Sequence, residues 1–306
     1  MTENRHPLVR AWIRQHPNTP FYQAPDDPAV LALADRLGFG PALRDLGGED
    51  NLSLLLGSRR HVLRTYKPFI SRRRVLDLQR VRADLAAAGL TAAVPLSVDG
   101  ASVFRCGPRW AEVEPFLDLP SGGTSSPELF HGLGRLHSAL ARIPPPASRD
   151  LRRSFVDAGT LRRWVGANVV DGLVAGDTAE EVGRQIDQVE SRWIDPGGVQ
   201  LVHADPHAGN ILAAGADDYV YLDFTGIEVA PRVHDVAMAL MYQMAGSDHH
   251  EIPELLDAYS AGAGNPLTDR ERAALPACAA AIALYYDICG WASGWRAIGE
   301  RLLTLG

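Results

Sequence analysis

Apolar residues recur at helical spacing in long stretches of the chain and at strand spacing in short ones. Residues 28–40 begin with proline and end with glycine, and their apolar positions repeat every three or four residues, which predicts a helix. A second helix is predicted after Ser71. Ser71 is placed to cap its N-terminus, and Gly89 is placed to end it. The apolar line of this second helix contains Val75, Leu78, Val81 and Leu85.

Short apolar runs around these helices predict strands. Residues 52–57 and 61–66 are β-type runs joined by a Gly-Ser-Arg-Arg turn, which predicts a hairpin, and a further strand is predicted at 42–46. Two or three more strands are predicted within residues 95–118, around the Asp-Gly and Gly-Pro turns of that segment. The first part of the chain therefore predicts a small α+β unit.

The pattern changes where Gly, Ser and Pro cluster at residues 119–126. Helical patterns then dominate, interrupted by one β-rich island at 199–226, and they resume after Pro231. The sequence thus predicts two domains. Residues 1–117 form an N-terminal extension and a small lobe, and residues 118–306 form a large helical lobe that carries a short hairpin.

Composition narrows the class of protein. Of the 306 residues, 46% are hydrophobic and 22% are charged, which excludes a disordered chain, a collagen-like fibre and a disulfide-framed miniprotein. The chain has no run of 18 apolar residues and no apolar N-terminal segment, so neither a membrane span nor a secretory signal is expected. Its three cysteines form no Cys-x-x-Cys pair, which predicts a reduced, cytoplasmic protein without a structural zinc site.

The net charge of −7 is divided unevenly along the chain. Residues 1–117 hold 16 basic and 12 acidic side chains, whereas residues 118–306 hold 14 basic and 25 acidic ones. An acidic half disfavours binding of nucleic acid and favours a cationic ligand. The alternative is that the acidic side chains only keep the surface soluble.

The β-rich island holds the strongest chemical signal, a His-x-Asp-x4-Asn motif at 203–210 followed by Asp223 at the end of another apolar run. Phosphoryl transfer requires a carboxylate that orients the attacking hydroxyl and accepts its proton, and Asp205 fits that role. It also requires oxygen ligands for Mg²⁺, and Asn210 and Asp223 fit that role. The alternative is a hydrolase metal site built from His203, Asp205 and His207. That alternative leaves Asn210 and Asp223 without a function.

These residues resemble the motifs of a known family. LVHADPHAGNIL followed by VYLDFTG resembles the catalytic and metal-binding loops of aminoglycoside-phosphotransferase-like kinases, a superfamily that includes choline kinases and type II homoserine kinases. The resemblance implies an α+β, two-lobed, protein-kinase-like fold, with a small antiparallel sheet in the N-terminal lobe and a mostly helical C-terminal lobe that carries a catalytic β-hairpin. It also implies ATP as the phosphate donor and Mg²⁺ as the metal.

The resemblance assigns phosphate contacts to the small lobe. LGGEDNLSLLL resembles the glycine-containing loop of the family, which places Gly47, Gly48 and Asn51 over the phosphates; the alternative is an ordinary glycine-rich turn. HVLR resembles the third strand of the family, which places Arg64 at the phosphates. Lys67, the only lysine of the chain, is a weaker choice because it cannot share a strand face with Arg64.

Two further small-lobe assignments follow from the resemblance. The family pairs its strand cation with a glutamate of the next helix, which this sequence lacks, and Asp77 is the acid that we expect in its place. WAEVEPFLDL resembles the connector that binds adenine, which implies that the carbonyl of Glu114 and the N–H of Phe116 face the purine. The alternative is an edge strand that contains a proline.

In the large lobe, the resemblance makes His203 a supporting residue of the catalytic loop and not an acid or base. Asp235 is expected either to brace that loop or to cap the helix that follows. His207 is expected either near the acceptor or in solvent.

We therefore expect an ATP- and Mg²⁺-dependent phosphotransferase that acts on a hydroxyl of a small molecule, such as an aminoglycoside-type antibiotic, an amino alcohol or a choline-like amine. One alternative is a kinase that modifies Ser or Thr of a peptide natural-product precursor, and another is a catalytically weak, pseudokinase-like binding module. No nucleic acid or membrane partner is expected. Acceptor contacts are expected from residues 155–180 and 246–296, although the aromatic residues of the second segment also fit a packed core helix. Those candidates are Tyr285, Tyr286, Asp287, Trp291 and Trp295.

Overall fold

The computed structural model of the chain describes residues 6–47, 51–57, 60–117, 123–148, 155–215, 217–246, 251–290 and 294–304. Distances between Cα atoms group the chain into two compact units. The small unit comprises Ile13–Ser121 and Pro146–Leu151, and the large unit comprises Met1–Trp12, Gly122–Pro145 and Arg152–Gly306. The assignment of residues 1–117 and 118–306 to two functional lobes remains a prediction.

The described residues form ten helices and ten strands. The first part of the chain contains α1 (Pro7–Gln15), α2 (Pro28–Leu37), β1 (Ala42–Asp45), β2 (Leu52–Leu56), β3 (His61–Thr65), α3 (Arg72–Ala87), β4 (Thr91–Ala92), β5 (Phe104–Cys106) and β6 (Arg109–Pro115). The second part contains α4 (Ser126–Leu140), α5 (Ala158–Val170), α6 (Gly176–Ser191), β7 (Gln200–Val202), β8 (Ile211–Ala213), β9 (Tyr219–Tyr221), β10 (Glu228–Ala230), α7 (Val233–Ala245), α8 (Ile252–Ala263), α9 (Asp269–Cys289) and α10 (Trp295–Leu303). This content confirms the predicted α+β class.

One face of the five-stranded antiparallel sheet, ordered β1-β2-β3-β6-β5, forms the apolar core of the small unit. Alternate residues of the strands point to this face because side chains alternate along a strand. They pack against the apolar side of α2, and the buried set includes Val30, Leu33, Leu37, Leu54, Leu56, Leu63 and Val113. Helix α2 confirms the helix predicted at residues 28–40. At its start, the side chain of Asp27 accepts a hydrogen bond from the N–H of Ala29 at 2.8 Å, and Gly38, with a φ of +75°, follows its last residue.

Helix α3 begins where the sequence predicts, because the Ser71 side chain accepts a hydrogen bond from the N–H of Arg74 at 3.1 Å. Its predicted apolar line is buried, and two arginines are buried with it. A buried guanidinium needs oxygen acceptors close by. Arg74 donates to the carbonyl of Ser148 at 3.2 Å, and Arg82 meets acidic side chains of β6.

Helices α4 and α8 of the large unit approach closely because glycines lie at their contact. A Cβ atom on Gly134 would overlap the carbonyl oxygen of Tyr259, and one on Gly262 would overlap that of His131. The close approach lets the Nδ1 of His137 on α4 bond the hydroxyl of Tyr259 on α8 at 2.9 Å. The helix contact therefore fixes the position of His137 next to the candidate site.

Helix α9 is the long core helix of the large unit. Among the described residues it alone has the length and apolar content that a membrane span would need, and 72% of that stretch is buried inside the protein, as in a core helix. Tyr285 on this helix packs at 5.8 Å from the ring of Trp164 and belongs to the core. Trp291, another of the residues expected to contact the acceptor, lies outside the described residues.

Four short strands of the large unit pair in two antiparallel ribbons. Strand β8 pairs with β9, with Ile211 opposite Tyr221. Strand β7 pairs with β10, with Leu201 opposite Val229. The sequence predicts β7, β8 and β9 but misses β10, whose sequence, Glu-Val-Ala, lacks the two adjacent large apolar residues that each of the other three strands contains. Residues 203–210 consequently run from one ribbon to the other.

Candidate active site

Asp235, in the first turn of α7, holds the 203–210 loop by its backbone. Its carboxylate accepts from the N–H of His203 at 2.6 Å and from the N–H of Ala204 at 2.9 Å. Ala204 has a φ of +65°, a left-handed conformation that costs a non-glycine residue about 1 kcal/mol or more. The two hydrogen bonds offset that strain. Of the two expected roles, the structure shows the brace, since Arg232 occupies the N-cap of α7.

Asp235 is completely buried, and its hydrogen bonds favour the charged form of the carboxyl group. Burial acts to raise its pKa, but the hydrogen bonds from His137 at 3.0 Å and His234 at 3.4 Å, together with their charges, lower the pKa of Asp235 well below its ordinary value. A carboxylate with a lowered pKa stabilises the folded protein above its unfolded-state pKa, and that stability is lost as the pH falls through the lowered value. The brace is therefore fully formed near neutral pH.

His203 is completely buried behind the loop. Its Nε2 donates to the carbonyl of Leu222 at 2.8 Å, and its ring lies 5.2 Å from that of Phe224. A nitrogen that donates to a carbonyl cannot also ligate a metal ion. Over the described parts of the chain, no group of three or more His, Cys, Asp or Glu side chains is placed to hold a metal. The described residues thus show no cluster for the metal-hydrolase alternative, and the supporting role of His203 remains a prediction.

Asp205 is the exposed carboxylate of the loop, with 37% of its side chain accessible to solvent. Its Oδ1 accepts from the hydroxyl of Tyr242 at 3.0 Å, and its Oδ2 accepts from the Nδ2 of Asn210 at 3.1 Å. The same Nδ2 also donates to the backbone carbonyl of Asp205 at 3.0 Å. Oδ1 is thus held by one neutral donor and retains a lone pair for a further donor, while Oδ2 also faces the imidazole of His207.

His207 lies beside this carboxylate, with its Nε2 at 3.5 Å from the Oδ2 of Asp205. Burial acts to lower the pKa of His207, but the hydrogen bond and charge of Asp205, together with the charge of Asp223, raise it above its ordinary value. The ring of His207 also meets that of Tyr242 edge-on, at 5.5 Å between centroids. Both Asp205 and Asp223 therefore favour the charged form of His207.

Asn210 and Asp223 are brought together by the register of the β8–β9 ribbon. The N–H of Leu222 donates to the carbonyl of Asn210 at 2.8 Å, and Asp223 is the next residue. Asp223 has a φ of +47°, and its Oδ1 accepts from the hydroxyl of Thr225 at 2.7 Å. Since the Nδ2 of Asn210 is bound to Asp205, its Oδ1 is the remaining polar atom of that side chain. Amide and carboxylate oxygens are hard ligands, so these residues fit a divalent cation such as Mg²⁺.

In the small unit, the sheet face opposite the apolar core carries charged side chains. Arg64 of β3 lies across from Glu112 of β6 in the strand register, and it pairs with Glu114 at 2.9 Å. Arg82 of α3 pairs with both acids, at 2.6 Å from Glu112 and 2.9 Å from Glu114. Tyr66 donates its hydroxyl to Glu112 at 2.6 Å. These five residues form the ionic face of the sheet.

The ionic face is almost completely buried. The exposed fractions of the side chains are 15% for Arg64, 7% for Glu114, 6% for Arg82 and 0% for Glu112. Burial acts to lower the pKa of Arg82, but the charge of Glu112 and its other neighbours raise it above its ordinary value. Burial and the charge of Glu112 raise the pKa of Tyr66, which therefore remains a proton donor. Two cations thus balance two anions in a buried layer.

The prediction that Asp77 pairs with Arg64 is wrong. Asp77 accepts hydrogen bonds from the backbone and hydroxyl of Ser148, while Arg64 is paired by Glu114 of the neighbouring strand. The helix supplies a cation, Arg82, where the resemblance implies a glutamate, so the polarity of the helix–sheet pair is reversed. A signal existed in the sequence, because Arg82 lies on the apolar line of α3 and the two glutamates alternate along one strand.

The predicted phosphate loop is described in part. Gly47 has a φ of +84°, and its N–H donates to the side chain of Asp45 at 2.9 Å. Asn51 is buried, with 4% of its surface exposed. Gly48 lies outside the described residues. The phosphate contacts of all three remain predictions.

The predicted adenine-binding atoms lie at the end of β6. The N–H of Phe116 donates to the carbonyl of Arg60 at 2.7 Å, so a purine would have to replace that bond. The side chain of Glu114 belongs to the ionic face, and its backbone lies opposite Val62 in the sheet. The purine contacts of Glu114 and Phe116 remain predictions.

Lys67 lies apart from the ionic face. It is 3% exposed, and its Nζ lies over the rings of Phe21 at 4.6 Å and Tyr22 at 3.9 Å. This cation–π contact ties the segment before α2 to the end of β3. The phosphate contact of Arg64 remains a prediction.

Residues 42–275 match the model of the phosphotransferase enzyme family. The chain belongs to this family. It is therefore a phosphotransferase, as the motif at 203–210 predicts. No curated protein sequence is significantly similar to the chain.

Solved kinases share the fold at low sequence identity. An amicoumacin kinase in complex with AMP-PNP and Ca²⁺ has a TM-score of 0.67 at 16% identity, over 91% of this chain and 92% of that one. A microcompartment-associated aminopropanol kinase has a TM-score of 0.66 at 19% identity, over 90% of this chain and 93% of that one. A spectinomycin phosphotransferase in complex with ADP and spectinomycin has a TM-score of 0.59 at 14% identity, over 90% and 93%. The predicted two-lobed, kinase-like fold is confirmed.

Reasoning from the sequence misses two parts of the site in this phosphotransferase. Tyr242 is not singled out, although it follows Asp235 by seven residues and so shares a face of the same helix. The reversed polarity of the ionic face is missed because the expected acid was sought on α3. Both residues, Tyr242 on α7 and Arg82 on α3, lie on predictable faces of their helices. Their roles become clear only when the residues that they contact are known.

Proposed function

We propose that this phosphotransferase moves the γ-phosphate of Mg·ATP to the hydroxyl of a small-molecule acceptor, with Asp205 as the base. The environment of Asp205 carries the proposal. The carboxylate is 37% exposed, it is held by Tyr242 and Asn210, and its loop is braced by the buried Asp235. A fixed carboxylate with a lone pair to spare can accept a hydrogen bond from an alcohol and take its proton.

The reaction forms one bond and breaks one. The acceptor oxygen attacks the γ-phosphorus of ATP, the bond from that phosphorus to the bridging oxygen breaks, ADP leaves, and the hydroxyl proton passes to Asp205. In a loose transition state the carboxylate acts chiefly by orienting the attacking oxygen. Asn210 and Asp223 would hold Mg²⁺, which neutralises charge on the phosphates.

The small unit would bind the nucleotide. Arg64 would contact the phosphates together with the loop that contains Gly47, Gly48 and Asn51. Glu114 supports this role, because its bond to Arg64 within one sheet orients the guanidinium before any nucleotide is present. The peptide groups of Glu114 and Phe116 would meet the adenine ring, with the Phe116 N–H leaving its present sheet bond.

We propose a cationic hydroxyl compound as the acceptor, such as an amino alcohol, a choline-like amine or an aminoglycoside. The acidic excess of residues 118–306 supports this class, because it attracts cations. The structural neighbours include kinases named for aminopropanol, for choline and ethanolamine, and for spectinomycin. A peptide hydroxyl is a second acceptor class that the same assay tests.

The test is a screen that measures ADP release and phosphorylated product together. The probes are aminopropanol, ethanolamine, choline, spectinomycin, streptomycin, gentamicin and a set of Ser- and Thr-containing peptides, each with Mg·ATP. We expect product from at least one cationic small molecule, and loss of that product with EDTA or in the Asp205→Asn variant. Product from peptides alone would move the acceptor to the second class. Failure of every probe, with intact nucleotide binding, would contradict the proposed transfer reaction.

A further inference from the structure

Helix α7 contacts the 203–210 loop at two points that lie on one face of the helix. Asp235 binds the backbone of the loop, and Tyr242 binds the side chain of Asp205 at 3.0 Å. The two residues are seven positions apart, which is about two helical turns. The first contact fixes where the loop runs, and the second reaches the carboxylate itself.

The direction of the hydrogen bonds at Tyr242 is fixed by their chemistry. A carboxylate can only accept, so Tyr242 donates its single hydroxyl proton to Asp205. The hydroxyl of Tyr286 lies 2.7 Å from that of Tyr242, and it must therefore be the donor in that pair. The sulfur of Met238, at 3.9 Å, is a weaker acceptor for the same proton. An ordered chain of donors thus runs from Tyr286 on α9, through Tyr242 on α7, to Asp205.

The ring of Tyr242 is confined by its neighbours. It meets the rings of Tyr286 at 5.9 Å, Trp295 at 5.8 Å and His207 at 5.5 Å, all edge-on. Burial raises the pKa of Tyr242, and Tyr286 and Asp205 raise it further, so the phenol keeps its proton at any working pH. Tyr242 is therefore a permanent donor in a fixed place.

We propose that Tyr242 is a positioning residue for phosphoryl transfer, which sets the direction of the Asp205 carboxylate through a hydroxyl that Tyr286 orients. The terminal torsion of an aspartate is soft, and Asn210 and His207 both contact the same oxygen, Oδ2, so these contacts alone would let the carboxylate swing. A second bond on the other oxygen holds the carboxylate in one plane. Reaction rates depend steeply on such alignment. The inference rests on the proposed role of Asp205 as the base.

The test compares three variants that each remove one phenol oxygen. Tyr242→Phe should lower kcat by about 10- to 100-fold, because a hydrogen bond to a charged group is lost, with the KM for ATP within about twofold of wild type. Tyr286→Phe should lower kcat by about two- to fivefold, because it loses a bond between neutral groups. The matched control is Tyr221→Phe, which removes a buried hydroxyl that donates to the carbonyl of Gly132 at 3.0 Å and should leave kcat unchanged.

A second measurement separates this inference from the proposed function. Hydrogen–deuterium exchange of peptides that cover residues 203–210 needs no acceptor, and it should be faster in Tyr242→Phe and unchanged in Tyr221→Phe. Normal kcat in Tyr242→Phe overturns the inference, and so does a fall in kcat that is matched by a fall in thermal stability or a rise in the KM for ATP. A wild-type protein that phosphorylates no probe overturns the proposed function instead. In that case unchanged exchange in Tyr242→Phe overturns the ordering role of Tyr242, and faster exchange supports it.

Discussion

Asp205 in the large unit is held by two neutral donors, Tyr242 and Asn210, whereas Arg64 in the small unit is held by a charged partner, Glu114. Neutral donors fix a carboxylate and leave its negative charge available to an incoming hydroxyl. A charged partner fixes a guanidinium more firmly and neutralises part of its charge. The comparison teaches that the group proposed to take a proton is held by two neutral donors, with the imidazole of His207 3.5 Å away, while the group proposed to bind phosphate is embedded in a balanced ion network.

Substitutions in the two regions should also change different properties, namely folding stability for the ionic face and reaction rate for the 203–210 loop. Removing one partner of a buried ion network leaves a charge uncompensated, which costs about 3–5 kcal/mol of folding stability. Removing a neutral donor to a partly exposed carboxylate should cost less stability and should act on the rate. We therefore expect variants of the ionic face to lower stability and variants of the 203–210 loop to lower kcat.

The largest effect is expected at the loop. Asp205→Asn preserves the shape of the side chain and removes the proton acceptor, so kcat should fall by about 10²–10⁴-fold while the KM for ATP changes little. Steady-state kinetics with the best acceptor of the screen measures both constants. Near-normal turnover in this variant would mean that Asp205 is not the base. It would also mean that variants of the 203–210 loop do not act mainly on the rate.

The next effect is expected in the ionic face. Arg82→Met removes a buried cation between Glu112 and Glu114, and the free energy of unfolding should drop by about 3–5 kcal/mol. Arg73→Met is the matched control, because Arg73 is exposed on the same helix, and it should shift stability by about 0.5 kcal/mol or less. Urea unfolding compares the two variants. Equal stabilities would show that the buried pairs contribute no more than a surface charge.

A smaller effect on stability, with a distinct effect on binding, is expected for Arg64→Met. Glu114 keeps its bond to Arg82 in this variant, so stability should fall less than in Arg82→Met. The KM for ATP should rise by about tenfold, because one charged hydrogen bond to phosphate is lost. Lys67→Met is the control and should leave that KM unchanged. A larger rise in KM for the lysine variant would transfer the phosphate contact to Lys67.

The smallest effect on stability and kcat is expected at Tyr259, which contacts the loop only through His137 and Asp235. Tyr259→Phe removes the hydroxyl that bonds His137, which in turn bonds Asp235. The unfolding free energy should drop by about 0.5–1.5 kcal/mol, and kcat should stay within about twofold of wild type. Thermal denaturation and steady-state kinetics measure the two effects. A loss of kcat as large as that of Tyr242→Phe would show that α4 supports the reaction as strongly as α7 does.

The loop could be predicted because its chemistry is local in sequence. Asp205 and Asn210 are five residues apart and bond each other directly. Asp223 follows within the next ribbon, whose apolar runs are visible in the sequence. Residues so close in the chain have few ways to be arranged, so their spacing predicts that these side chains lie together, while their roles in the reaction remain predictions.

The ionic face and Tyr242 could not be predicted in the same way. Arg82 and Glu112 are 30 residues apart, and Tyr242 and Asp205 are 37 apart, so their contacts depend on how helices pack. The resemblance also implied an acid on α3, and this directed attention to Asp77 and away from a reversed pair. Spacing identifies local contacts, while the sign of a distant ion pair follows from packing that the sequence pattern does not show.

The reversed pair at Arg64 has a consequence for regulation. Arg64 and Glu114 belong to adjacent strands, so the hydrogen-bonded ladder of β3 and β6 keeps them together. In protein kinases the acid lies on the helix, and moving that helix separates the pair and inactivates the enzyme. Here a displacement of α3 would withdraw Arg82 and leave Arg64 bound to its strand partner. The arginine proposed to contact phosphate would stay oriented when α3 moves, so the helix displacement that inactivates protein kinases would not separate this pair.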